Sequence, residues 1–179
     1  DMRILYLANV RLPTERAHGV QIMKMCEALA LLGHSVELFV PRTFNHLTED
    51  PFDWYAVKRV FRLRTIPSFD WRQADRVGLM PIAFRLQAFY FLLAAITVAL
   101  FSRPDVVYTR QLFLGALLSW CGVPVVFEDH EPPRGGRKLY VFLLRRLRRI
   151  VVVPRMLAER YHEWGIRKER YLFAPNGVD

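Results

Sequence analysis

The sequence predicts an α/β fold built on one doubly wound parallel sheet. Three observations lead there. Short apolar runs of strand length alternate with longer segments of helical period from end to end. Most of those runs are apolar nearly throughout rather than every second residue, which is the mark of strands covered on both faces. Strands and helices that take turns along a chain pack as parallel strands joined by right-handed crossovers.

Arg3–Val10 (RILYLANV) opens the chain as a strand. In Val20–Gly33 the residues Ile22, Met25, Cys26, Leu29 and Leu32 recur at helical spacing, with Gly33 placed to end the helix. Ser35–Pro41 is the second strand, closed by its proline, and a polar loop follows around Thr48–Asp53. Phe61–Ile66 reads as a weaker, more basic strand, and Leu79–Phe101 as a long apolar helix. Asp105–Arg110, Val123–Glu128 and Ile150–Val153 are three more strands. Leu112–Cys121, Arg137–Arg149 and Met156–Trp164 are the helices after them, and Arg170–Ala174 is a last short strand.

At 179 residues the chain is one domain's worth, and folding is expected to bury about 70% of the unfolded surface. A hydrophobic content of 53% with 24% charged residues excludes a disordered or fibrous chain. Cys26 and Cys121 are too few for a disulfide framework or a zinc site. Asp1-Met2 runs into the first strand without a charged lead or cleavage site, so no signal peptide is expected, and the reading is a cytoplasmic protein. The apolar stretch after Arg85 is sixteen residues long and contains Gln87, short of the roughly 20 that a membrane span needs. A buried helix is therefore expected there.

The net charge of +9 is local. Between Glu131 and Glu159 stand eight basic residues and no acid, and the rest of the chain is close to neutral. Arg137, Lys138, Arg145, Arg146, Arg148 and Arg149 flank an apolar stripe of Leu139, Phe142, Leu143, Leu147 and Ile150 on an expected amphipathic helix. Its outer face is either simply solvated or meets anionic lipid head groups. Nucleic acid is disfavoured, because no recognition motif or aromatic platform accompanies the charge.

Ligands of open parallel sheets bind beyond the carboxyl ends of the strands. That directs attention to the loops Arg11–Gly19, Arg110-Gln111 and Asp129–Gly136. The first lacks both the Gly-x-Gly-x-x-Gly dinucleotide turn and a Walker A sequence, which disfavours NAD-type binding. Gly19 at a helix start either offers backbone N–H groups to an anion or merely permits a tight turn. His130, between Asp129 and Glu131, is either a ligand-facing imidazole or a solvated loop histidine. The five histidines show no paired ligand spacing, so no metal is expected.

Four segments carry a resemblance to a known family: Arg3–Arg42, PDVVYTRQ, VPVVFEDHEPP and the terminal APNGVD. Together they resemble the N-terminal, Rossmann-like half of a GT-B-fold glycosyltransferase of family 4. In relatives the motif Pro175-Asn176-Gly177-Val178-Asp179 is the hinge into a second domain that holds most of the nucleotide-sugar site. The resemblance implies an acceptor-side domain, residues 1–179, with the donor-binding domain lying beyond it. It implies transfer of a sugar from a nucleotide diphosphate sugar, with retention of configuration, to an acceptor such as a membrane-associated glycolipid or polysaccharide precursor. His130 looks like the active-site histidine that contacts the donor sugar, and Gly19 with His18 like the loop near the donor diphosphate. Relatives often have Gly-Gly where this chain has Ala17-His18-Gly19, and Asp where Glu131 stands. Arg11, Arg16, Arg110 and Glu131 are candidates for acceptor or phosphate contacts by loop position, each arginine having a solvated loop as its plainer explanation. No cofactor beyond the nucleotide sugar is implied. The expected partners are donor, sugar or lipid-linked acceptor, the chain's own second domain and an anionic membrane, with peripheral placement on the inner face of the plasma membrane. The other class open to the sequence is a binding module that docks a separate catalytic subunit.

Overall fold

A computed structural model describes residues 1–68, 80–133 and 135–175. The α/β, Rossmann-like class holds: strands and helices alternate, and every strand pair within the two compact units, Asp1–Asp105 and Val106–Asp179, is parallel. Arg134 and residues 176–179, including most of the expected hinge motif, lie outside the described residues, as does Leu79.

In the first unit β1 (Arg3–Leu7), β2 (Ser35–Pro41) and β3 (Arg62–Ile66) lie in the order β3-β2-β1. Four successive residues of β1, Ile4 to Leu7, are buried, as a strand covered on both faces requires. Helix α1 (Ala17–Leu31) buries Gly19, Ile22, Met23 and Cys26, an i, i+3, i+4, i+7 stripe. The expected face is thus rotated: Met25 and Leu29 are half-buried, and Leu32 is an exposed cap. Gly33 does end the helix, with φ +92° in the left-handed region that favours glycine. The polar loop contains a short helix, α2 (Pro51–Trp54), that periodicity did not reveal. Asp50 caps it by accepting from the Phe52 N–H at 2.8 Å, and Pro51 occupies its first turn.

Helix α3 (Met80–Ser102) departs most from expectation. Ala83, Gln87, Phe91, Ala95 and Ala99 are buried, one residue in every four. The rest of its apolar surface faces outward, with Leu86 56%, Phe89 59% and Leu93 50% exposed. Alanines along the stripe allow a close approach on a narrow line, so the helix is buried along one edge only. By length and composition alone it is apolar enough to cross a membrane.

In the second unit β4 (Val106–Thr109), β5 (Val125–Asp129), β6 (Arg149–Val152) and β7 (Tyr171–Phe173) follow one another in spatial order. Helices α4 (Leu112–Trp120), α5 (Arg137–Leu144) and α6 (Arg155–Glu163) alternate with them, and a 3-10 turn, Lys168–Arg170, precedes β7. The core gathers Val107, Leu114, Phe127, Leu144, Ile150 and Tyr161. Helix α5 stops at Leu144, five residues before the expected end. Arg145 caps it, Leu147 is buried in the turn, and Arg149 already begins β6. The expected stripe therefore splits: Leu143, Leu147 and Ile150 are buried, whereas Leu139 and Phe142 are exposed. A strand start and a helix end share that apolar spacing, and burial of Ile150 in the sheet decides between them.

Candidate functional site

The second unit brings four chemically capable side chains together at the carboxyl end of β5. Side chains alternate along a strand, so Glu128 and His130 project to one side and Asp129 to the other. The parallel register pairs Tyr108 with Val126 and Thr109 with Phe127, which places Tyr108 and Arg110 on the Glu128 side. The Glu128 carboxylate, 2% exposed, accepts from the Tyr108 hydroxyl at 2.5 Å and from Arg110 Nη2 at 2.8 Å. The same oxygen that meets Arg110, Oε1, also bonds His130 Nε2.

Burial pushes the Glu128 carboxyl up, but the bonds from His130, Arg110 and Tyr108 outweigh it and hold the group below the usual carboxylate range. An ionised carboxylate only accepts, so His130 Nε2 carries the hydrogen. Nδ1 is then an acceptor in the neutral ring or a donor in the cation. The ring is 24% exposed, so it is reachable while its orientation is held from behind.

On the other side of β5 the Asp129 carboxylate accepts hydrogen bonds from the Tyr140 and Tyr161 hydroxyls. Burial dominates there and raises the Asp129 carboxyl, the tyrosine bonds offsetting only part. Burial, reinforced by Asp129, also raises both phenols, which stay protonated donors. This cluster ties α5 and α6 to the strand that carries His130.

In the first unit the loop after β1 is held from beneath by Tyr55. Its hydroxyl donates to the Thr14 carbonyl at 2.8 Å and accepts from the Thr14 N–H at 2.6 Å. A Cβ on Gly19 would stand 2.2 Å from that hydroxyl and 2.7 Å from Thr14 Cγ2, so close packing accounts for the glycine. Arg11 is engaged with Glu15 at 2.8 Å, and His46 closes the group by bonding the other Glu15 oxygen at 2.8 Å. Arg16 precedes α1 as its N-cap without a side-chain capping bond, and His18 lies in the first turn. Beyond the carboxyl ends of β1 and β2 an open cavity of about 340 Å³ is lined by Asn9, Val10, Arg11, Pro41, Phe84 and Gln87, among others. Asn9 and Gln87 exchange amide hydrogen bonds at 3.0 and 3.5 Å along its wall.

The structure thus brings Arg110 and His130 together, with Glu131 next in the chain, and separately groups Arg11, Arg16, His18 and Gly19. Sequence reasoning missed Glu128, Tyr108, Tyr55 and the Asn9–Gln87 pair. Glu128 and Tyr108 stand within runs read as plain strands, and the alternation Tyr108-x-Arg110 beside Glu128-x-His130 was the available signal. Among the described residues no group of three His, Cys, Asp or Glu could hold a metal ion. Of the basic residues, Arg146 stacks over Phe142 at 5.0 Å and Trp120 at 5.7 Å, and Arg137, Lys138, Arg145, Arg148 and Arg149 are exposed.

No curated protein is significantly similar in sequence. Solved structures are similar in fold. The kitacinnamycin glycosyltransferase is 14% identical with a TM-score of 0.59, over 99% of this chain and 52% of that one. The apo form of Phytolacca americana UGT2 is 11% identical with a TM-score of 0.60, over 98% and 51%. The lipopolysaccharide outer core galactosyltransferase WaaB is 10% identical with a TM-score of 0.56, over 99% and 46%. The chain therefore spans about half the length of the structures it matches. The sequence profile of Glycosyltransferase Family 4 matches residues 18–179, and the chain belongs to that family.

Proposed function

We propose that this chain is the acceptor-side part of a retaining glycosyltransferase that moves a sugar from a nucleotide diphosphate sugar to a membrane-associated glycolipid or polysaccharide precursor. The observation that carries the reading is the Glu128 carboxylate, which holds His130 and Arg110 on a single oxygen at a strand end. A buried anion that fixes an imidazole with one nitrogen still reachable makes a preoriented polar contact, the kind that positions a reacting group.

In the transfer, the bond from the sugar's anomeric carbon to the diphosphate oxygen breaks, and a bond to the acceptor oxygen forms on the same face. The acceptor's proton leaves with the diphosphate oxygen. His130 holds the sugar through Nδ1, and Arg110, anchored by Glu128, contributes positive charge. In the first unit, taken by itself, the cavity beside Asn9 and Phe84 has the polar and apolar walls that suit a small-molecule ligand. Family membership and the lengths of the matched structures support a donor-binding domain beyond this chain. The exposed basic residues of 137–149, with exposed Phe142 among them and Trp120 beneath Arg146, support peripheral attachment to the cytoplasmic face of a membrane.

The test is a screen of nucleotide diphosphate sugars on the intact protein, followed by release of nucleoside diphosphate. Turnover of one donor is expected, and His130→Ala should lower kcat about a hundredfold with folding stability nearly kept. Turnover untouched by that substitution removes His130 from the site. A fragment of residues 1–179 is expected to turn over no donor by itself.

A further inference from the structure

The amino ends of β6 and β7 carry a concentration of positive charge of their own. Arg145 caps α5 and the chain turns into β6, while Gly165, Ile166, Arg167 and the 3-10 turn lead into β7. The two strands are parallel neighbours, so both approaches lie at the same end of the sheet. His130 follows the opposite, carboxyl end of β5, a strand of five residues. At about 3.3 Å per residue that separates the two places by on the order of 15 Å.

Between the two approaches is an open cavity of about 240 Å³ lined by Arg145, Gly165, Ile166, Arg167 and Arg170. Arg170 Nη1 donates to the Arg145 carbonyl at 2.6 Å, which fixes that guanidinium on the wall. Gly165 adopts φ +70°, and the position of a Cβ on it lies 3.8 Å from Arg145 Nη2, so the Arg145 head group rests over bare backbone. Three guanidinium groups thus line one small concavity that has no carboxylate in its wall. Among the described residues none of the three forms an ion pair with an acid. A larger cavity of about 390 Å³ on the other flank of Arg145 adds Arg137 and Lys138 against a single acid, Glu163, with Phe142 and Trp164 as apolar walls.

Like charges gathered this way repel, and an anion that takes up their N–H groups relieves the repulsion. Planar guanidinium forks match the oxygens of a phosphoryl group, which they bind with two bonds each. We propose that the Arg145–Arg167–Arg170 cavity is an anion site, apart from the His130 cluster, that binds a phosphate or diphosphate group. The group is borne by a membrane lipid or is free in solution. The inference does not rest on glycosyl transfer and survives or fails independently of it.

In the intact protein, titration with inorganic pyrophosphate is expected to shift the Gly165 and Ile166 amide resonances. The double substitution Arg167→Gln, Arg170→Gln should weaken that binding at least about tenfold, since each guanidinium contributes charge-assisted bonds. Arg167→Gln alone serves if the double variant does not fold, because Arg170 then keeps its bond to the Arg145 carbonyl. Vesicles of phosphatidic acid in phosphatidylcholine identify the source. If the substitutions weaken vesicle and pyrophosphate binding by a similar factor, the ligand is a lipid head group. If pyrophosphate binding falls while vesicle affinity is unchanged, it is free phosphate or diphosphate. Pyrophosphate affinity unchanged by the substitutions, or shifts confined to the surroundings of His130, overturns the proposal.

Discussion

Arg110 and His130 meet on one atom: Glu128 Oε1 accepts from Arg110 Nη2 at 2.8 Å and bonds His130 Nε2 as well. A cation and an imidazole that follow neighbouring strands therefore share a single buried carboxylate, and its removal takes that acceptor from both.

Glu128→Ala is expected to destabilise the fold by about 3–5 kcal/mol, because the mostly buried Arg110 loses this carboxylate partner. Glu128→Gln keeps the shape and an acceptor oxygen and should cost less, about 1–3 kcal/mol. Chemical denaturation of the two variants checks the order, and equal stability of Glu128→Ala and the wild type contradicts it.

The same pair predicts an acid-side loss of stability. Glu128 titrates lower in the folded chain than in the unfolded one, so its contribution is present above about pH 4.3 and disappears as pH falls through the lower, folded value. Below about pH 4 the wild type should lose more stability than Glu128→Gln, as thermal melting against pH would record. Parallel profiles for the two proteins would count against an ionised Glu128.

Asp129 has the opposite sign. Its folded-state affinity for a proton is raised by burial, so its ionisation weakens the fold as pH rises from about 4 through that raised value. Asp129→Asn, with its carbonyl oxygen in the place of Oδ2, keeps the acceptor that both tyrosine hydroxyls share and removes the charge. Its stability relative to wild type should therefore improve between acidic and neutral pH. A relative decline over that interval shows instead that Tyr140 and Tyr161 need the anion.

Gly19→Ala should cost about 1–3 kcal/mol through overpacking against Tyr55 and Thr14. In the background Tyr55→Phe, which removes the hydroxyl 2.2 Å from the new methyl position, the penalty should shrink. A double-mutant cycle by denaturation measures the coupling. Strict additivity would falsify the packing explanation of this glycine.

Replacement of Arg146, Arg148 and Arg149 by Gln should weaken binding to anionic vesicles by about 3 kcal/mol, or on the order of a hundredfold, at about 1 kcal/mol each. The loss should diminish as salt rises, because the Debye length contracts. Co-sedimentation with anionic and neutral vesicles provides the measurement, and identical binding to both removes the membrane role.

Much of the architecture was legible in the residues alone. Apolar runs such as Ile4–Leu7, set between helical periods, determine a parallel α/β fold because burial on both faces leaves no alternation to read. Gly33 marks its helix end for a local reason, the left-handed φ that only glycine takes without strain. The placement of Arg110 and His130 after strands was also legible, because the strand runs before them are read locally. What sequence could not supply was everything set by neighbours distant along the chain. The end of α5 at Leu144 depends on Ile150 finding a place in the sheet, and the narrow buried edge of α3 depends on what packs against its alanines. The role of Glu128 depends on a register that brings Tyr108 and Arg110 alongside it. Local spacing records which faces an element has, whereas partners eighteen or twenty residues away become neighbours only when strands pair.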